Sequence, residues 1–350
     1  MHGFRAAGHQ VEFVLMKREG ALLDELPADV RVVDLRAPRV RSVLKPLTRY
    51  FRDTPPDAVQ VRMWPLTITS IIARRRARAH SRLVVSDHAM MSRHLAGKPL
   101  ARTLLGWSVR LFYPMADSRV VVARDAADDL ASLSGLSRER FTVIYNPVEE
   151  APAAQQSSSV EKLWGDADGR IITVGTLKEQ KNHALLLRSF ARVRRQRAAK
   201  LMIVGSGPLE AGLKELASSL GVADHVIFAG LVVKPWAYYQ SADLFALSSD
   251  YEGYPNVMVE AMRCGLPIVS TDCDSGPREI LGAGRYGRLV PVGDELALAD
   301  AMLAELDAKP DRASVRARAE ALSGAGTVRQ YLDLLVGPTG PGACAAAPVL

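Results

Sequence analysis

The sequence predicts an α/β protein built from two Rossmann-like, doubly wound parallel-sheet domains that face each other across a cleft. Three observations carry that expectation. Short β-branched apolar runs alternate with longer amphipathic stretches, the rhythm of βα units. The rhythm breaks once, near residue 150, and then restarts. Finally, 350 residues with 48% apolar and 24% charged side chains suit two ordinary globular domains.

In chain order, the first domain (1–149) offers strands at Val11–Leu15, Val30–Leu35, Ala58–Val61, Leu83–Ser86, Arg119–Ala123 and Thr142–Tyr145. Helical patterns fall between several of them, notably Thr67–Arg78 and Ala101–Tyr113. Its front, from Phe4 to Leu15, reads as a helix end, a Gly8 cap and a second strand, with no first strand before it. A polar, low-complexity stretch, Ala151-Pro-Ala-Ala-Gln-Gln-Ser-Ser-Ser159, marks a linker over 150–168. The second domain (169–335) offers strands at Ile171–Val174, Leu201–Val204, Val226–Ala229, Leu244–Leu247, Pro267–Ser270 and Arg288–Val290. Helices are expected at His183–Arg195, Leu209–Leu220, Val257–Cys264 and Glu295–Leu306, and the Gly/Pro/Ala-rich residues 336–350 read as a disordered tail. Open parallel sheets bind ligands at the carboxyl ends of their strands, so both domains should present their sites to the cleft.

Composition excludes several classes. No run approaches the roughly 18 apolar residues of a membrane span, and the N-terminus lacks a signal-peptide layout. Three cysteines (Cys264, Cys273, Cys344) form no disulfide framework, which points to a reducing, cytoplasmic setting. Charge is uneven: residues 1–150 hold 24 Lys/Arg against 16 Asp/Glu, the remainder 21 against 22. The plain reading of the densest basic run, Arg74–Arg78, is a solvated helix face. The sharper reading is attraction to an anionic acceptor or to the inner face of the cell membrane as a peripheral protein. Nucleic acid is disfavoured, because no aromatic residues interleave with the basic run.

The most informative segment is Ser248-Ser-Asp-Tyr-Glu-Gly-Tyr-Pro-Asn-Val-Met-Val-Glu-Ala-Met-Arg-Cys-Gly265. A strand runs into a turn holding Gly253 and Pro255, a helix starts near Asn256, and Glu252 and Glu260 bracket that start. A turn opening onto a helix N-terminus presents free N–H groups and a positive dipole end, an anion site. Carboxylates on either side suit hydroxylated groups, so sugar, phosphate and ribose are the expected occupants.

The second half resembles the retaining glycosyltransferases of family 4, which have the two-lobed GT-B fold. The resemblance rests on Val174-Gly-Thr-Leu-Lys-Glu-Gln-Lys-Asn-His183, Met202-Ile-Val-Gly-Ser-Gly-Pro208, Val226-Ile-Phe-Ala-Gly230, the Glu252/Glu260 pair and Ser270-Thr-Asp-Cys-Asp-Ser-Gly-Pro-Arg-Glu-Ile-Leu281, in that order. It implies a hexosyltransferase that uses a nucleoside diphosphate sugar, UDP-linked in preference to GDP-linked, with a glycan or lipid-linked acceptor and no cofactor or metal. It implies that Lys181 contacts the donor pyrophosphate, in a loop with Gly175, Thr176 and Lys178. It implies that Glu252 holds the transferred sugar and Glu260 the ribose. The backbone from Gly253 through Tyr254, Pro255 and Asn256 to Val257 would hold sugar and phosphate oxygens. Gly205 and Gly207 would let backbone approach ligand, and the turn at Gly230 and Leu231 would line the base. His88, after a first-domain strand, is either a residue near the reacting sugar or a hydrogen-bonded structural histidine.

Two departures stand against the family pattern. Thr176 occupies a place where many relatives carry arginine, which leaves Lys181, helped by Lys178, as the cation. The family's first strand and Gly-rich loop have no counterpart here, and a translation start upstream of Met1 is the favoured explanation. Gly282-Ala-Gly-Arg-Tyr-Gly287 spells a dinucleotide fingerprint but lies after a helix and before a strand, so it reads as a loop. A nucleotide-sugar epimerase of the same architecture and an inactive nucleotide-sugar binder remain the alternative functions.

Overall fold

A computed structural model describes residues 1–20, 23, 26–153, 157–323 and 325–337. The chain divides into two compact units, the first made of residues 1–144 with 325–337, the second of Tyr145–Gly324. This partition departs from the expected boundaries at both ends. The helix Ala325–Val336 joins the first unit, because Tyr331 and Leu335 pack on Val84, Val120 and Ile144 of its sheet. Within the expected linker, Ser158–Trp164 is helical. Val160 and Trp164, one turn apart, are buried there, and the Trp164 indole donates to Ser241 Oγ at 2.9 Å. The expected tail lies outside the described residues from 338 onward.

In the first unit, β1 (Glu12–Leu15) pairs in parallel with β2 (Arg31–Asp34). A separate parallel sheet holds β3 (Ala58–Arg62), β4 (Arg82–Asp87), β5 (Ser118–Val121) and β6 (Thr142–Val143) in that order. The two sheets share a core through the helix Val40–Asp53, whose Val43, Leu47, Tyr50 and Phe51 meet Val14, Val33, Val59 and Ala73. Their i, i+4, i+7, i+8 spacing is one helical face, and burying it outweighs Pro46 in the helix interior. The head of the basic run is a staple. Arg74 reaches the carbonyls of Ser81 (3.0 Å) and Met115 (2.7 Å) and pairs with Asp117.

The second unit is one six-stranded parallel sheet. Its strands are β7 (Gly169–Val174), β8 (Ala199–Val204), β9 (Val226–Gly230), β10 (Leu244–Leu247), β11 (Ile268–Thr271) and β12 (Arg288–Val290), ordered β12-β11-β10-β7-β8-β9. That order winds outward both ways from the β7/β10 neighbours, which makes their carboxyl ends the topological switch point. Strands so covered on both faces read as continuous apolar runs, as Leu201–Val204 and Leu244–Leu247 do.

Candidate functional site

Lys181 follows β7 and Glu252 follows β10, so the sheet order brings together two residues 71 positions apart. Lys181 Nζ lies 2.7 Å from Glu252 Oε1, with the two side chains 14% and 6% exposed. Ser249 Oγ donates to the same oxygen at 2.6 Å. A carboxylate this buried needs such compensation, and here a cation and a hydroxyl supply it. Gln180 Nε2 stands 3.5 Å from Oε2, too far for a firm bond, because its short bond (2.8 Å) goes to the Tyr251 carbonyl. Among the described residues, Oε2 therefore keeps spare acceptor capacity.

The turn beneath the pair is tied down by its own backbone. Ser248 Oγ donates to the Lys181 carbonyl (2.9 Å), and the Asp250 N–H donates to the Gln180 carbonyl (2.9 Å). Asn182, in left-handed conformation at φ 44°, caps the helix His183–Gln196 through the Leu185 N–H and donates to Asp250 Oδ1. Ser275 Oγ holds the Gly253 carbonyl at 2.7 Å.

The helix Asn256–Arg263 begins after Pro255 with no side-chain cap. The Met258 N–H donates to the Pro255 carbonyl at 3.0 Å, while the N–H groups of Asn256 and Val257 precede the first intrahelical acceptor and meet no N-cap side chain. Glu260, one turn in, is held by the Tyr239 hydroxyl at 2.9 Å. Burial pushes its carboxyl above the ordinary range, with the Tyr239 bond opposing that and Glu149 adding to it. Tyr254 is buried and stacks on Tyr145, ring centroids 5.3 Å apart. Tyr145 in turn donates to Glu279 at 2.5 Å, and Asn146 Nδ2 donates to Asn256 Oδ1 at 3.0 Å.

The glycines of the neighbouring loops answer first to each other. A Cβ on Gly205, at φ +142°, would sit 2.0 Å from the Gly175 carbonyl oxygen, and one on Gly207 would sit 2.5 Å from that of Leu177. The loops after β7 and β8 thus touch backbone to backbone, while Gly175 packs along the Lys181 side chain. Gly230 (φ +72°) accepts the Gly205 N–H at 2.7 Å, with exposed Leu231 beside it. Thr176 and Lys178 are exposed. Gly282–Gly287 is a turn between helix and strand, as its context implied. Asp272, which imitates a metal motif with Asp274, is paired with Arg278. No group of three or more potential metal ligands occurs among the described residues. Cys264 and Cys273 are buried, which raises both thiols to about 12.

The profile of glycosyl transferases group 1 matches residues 168–307, and that of glycosyltransferase family 4 matches residues 1–151. The chain belongs to this glycosyltransferase family. It is 30% identical, over 65% of its length and 62% of the relative's, to the Campylobacter jejuni N-acetylgalactosamine-N,N'-diacetylbacillosaminyl-diphospho-undecaprenol 4-alpha-N-acetylgalactosaminyltransferase. It is 28% identical, over 68% and 65%, to the Erwinia amylovora amylovoran biosynthesis glycosyltransferase AmsD. The chain thus spans a little under two thirds of each of these curated relatives. Its fold matches that of Anabaena HepE, solved with UDP and glucose, at a TM-score of 0.78 and 20% identity, covering 94% and 92% of the two chains.

Of this family member's expected site residues, Lys181, Glu252, Glu260, Gly175, Gly205, Gly207, Gly230 and the 253–257 turn all lie at the carboxyl edge of the second unit's sheet. His88 belongs to the first unit, after β4, with its Nε2 3.2 Å from Ser86 Oγ. Sequence reasoning missed Ser249 and Tyr239, the groups that hold the two glutamates, and Gln180, which stands beside Glu252. Ser249 was within reach, standing two residues past a strand end. Tyr239 gave no signal, since only the fold brings its short helix against Glu260.

Proposed function

We propose that the protein is a retaining, metal-independent glycosyltransferase. It would move a hexose or N-acetylhexosamine from a nucleoside diphosphate sugar, UDP-linked in preference, to a hydroxyl of a glycan or lipid-linked acceptor. The observation that carries the reading is the Lys181–Glu252 pair at the switch point, beside a helix N-terminus without a cap. As the glycosidic C–O bond breaks, its electron pair stays with the diphosphate. A nearby ammonium and aimed N–H groups stabilise that charge more in the transition state than in the ground state. Glu252 Oε2, the oxygen with acceptor capacity, suits a sugar hydroxyl, and Glu260 suits the ribose. His88 would stand near the reacting sugar. Retention of configuration and independence from metal follow the family resemblance. The named acceptor chemistry of the Campylobacter relative and the UDP and glucose held by HepE support the donor and acceptor classes.

The decisive assay is acceptor-dependent release of nucleoside diphosphate, preceded by titration calorimetry with UDP and GDP. Failure of both nucleotides to bind overturns the proposal. Release of nucleotide with an isomerised sugar and no acceptor makes the protein an epimerase.

A further inference from the structure

We propose that the outward face of the helix Pro99–Phe112 in the first unit is a membrane-docking surface that lies on an anionic lipid bilayer. Leu100, Leu104, Trp107 and Leu111 are 86%, 62%, 73% and 55% exposed. Their i, i+4, i+7, i+11 spacing puts them in one row, within about 60° of the helix circumference. The opposite face is fixed to the protein. Leu105, Gly106 and Val109 are buried, and a Cβ on Gly106 would meet the Leu133 carbonyl oxygen at 2.2 Å. Ser108 is further held by the Trp64 indole at 2.9 Å. The row is thus a rigid ridge presented to solvent, not a helix face awaiting a place in the core. Scattered exposed leucines are ordinary; a continuous line of four large apolar groups with tryptophan at its middle is not.

Charge selects the occupant. From His88 to Ala116 there is no aspartate or glutamate, while Arg93, Lys98, Arg102 and Arg110 all fall in that span. Lys98 stands at the helix start and Arg110 lies about 80° around the helix from Leu100, and both are exposed. A second copy laid face to face would set these cations against their own like. An anionic bilayer complements them while its acyl boundary takes the leucines and the indole. No helix among the described residues is long and apolar enough to cross a membrane, so the attachment is interfacial. The inference draws nothing from the donor site.

The test is sedimentation of the full chain with vesicles of phosphatidylcholine alone and of phosphatidylcholine mixed with phosphatidylglycerol, at low and high salt. We expect binding to the mixed vesicles roughly tenfold above the neutral ones, weakened by salt. Leu104→Glu with Trp107→Glu should lower it by about tenfold or more with the thermal transition unchanged, since neither side chain supports the fold. Lys98→Glu with Arg110→Glu should lower it mainly at low salt. Equal sedimentation of the Leu104/Trp107 double variant overturns the proposal, as does failure of the unaltered chain to bind mixed vesicles. A concentration-dependent dimer that the same variant abolishes, without vesicle binding, assigns the ridge to a second copy instead.

Discussion

The two units place comparable chemistry at comparable points of their sheets and compensate it differently. In the second unit the carboxylate past a central strand end, Glu252, is met by an ammonium at 2.7 Å and a hydroxyl at 2.6 Å. In the first, the carboxylate ending β4, Asp87, is equally buried but meets the Tyr113 hydroxyl at 2.6 Å. Desolvation then dominates, raising Asp87 to about 6 despite that bond. The second unit's sheet is also continuous across six strands, whereas the first unit's strands form sheets of two and four. A buried charge matched by a cation can stay charged and wait for a ligand. One matched by a phenol becomes a proton-sensitive part of the fold.

The sharpest way to break this contrast is to separate the pair. Glu252→Ala leaves Lys181 buried and unmatched, which should cost about 3–5 kcal/mol of stability as well as at least a hundredfold in turnover. The buried pairing is what adds a stability cost to the loss of turnover. Lys181→Met with Glu252→Gln removes both charges and should recover most of the stability while turnover stays lost. Thermal melting and nucleotide-release rates on the three proteins decide it. Near-normal turnover in the double variant would reduce the pair to a structural one.

A second test uses pH. Asp87 has a folded pKa raised from 3.8 to about 6, so the folded state holds a proton that the unfolded chain releases. Its contribution is full below about pH 4 and falls as pH rises to about 6, by on the order of 3 kcal/mol. His183 in the second unit runs the other way. Desolvation, then the charge of Lys181, lowers it from 6.5 to about 4, and its Nδ1 has no partner among the described residues. Its contribution is full above about pH 6.5 and is lost as pH falls to about 4, by a similar amount. Hydrogen exchange resolved by unit over pH 4–7 should show opposite slopes. Asp87→Asn should flatten the first and His183→Gln the second; parallel slopes in both units would end the comparison.

What the sequence disclosed does not follow that divide, since the six strands of the first unit also overlap the expected ones. All six strands of the second unit are legible, because buried parallel strands are short, β-branched and bounded by turns. The Glu252 turn and its helix are legible for a similar reason, being contiguous. The pairing of Glu252 with Lys181 is not, since it depends on β10 lying beside β7 and no local pattern sets strand order. The helix Val40–Asp53 is hidden by Pro46, and Ser158–Trp164 by the polar run before it. Nor does an amphipathic C-terminal helix state which unit it will cover, so the return of residues 325–336 to the first sheet had no sequence signal.

The finest test compares one glycine from each unit. Gly106 and Gly205 both abut a carbonyl oxygen, at 2.2 and 2.0 Å from a notional Cβ, so alanine at either must shift backbone. Gly106→Ala forces apart the helices Pro99–Phe112 and Arg124–Ser134, at about 1–3 kcal/mol, and should leave nucleotide affinity unchanged. Gly205→Ala adds the strain of φ +142° to a similar clash, so its cost should exceed that of Gly106→Ala. It also pushes on the loop that carries Gly175 and, beneath it, the Lys181 side chain. Nucleotide affinity should therefore fall together with stability. Calorimetry and melting on both variants read the difference. If Gly205→Ala loses stability alone, the loop contact is packing with no bearing on the ligand, and the second unit's edge is less tightly coupled to Lys181 than its geometry indicates.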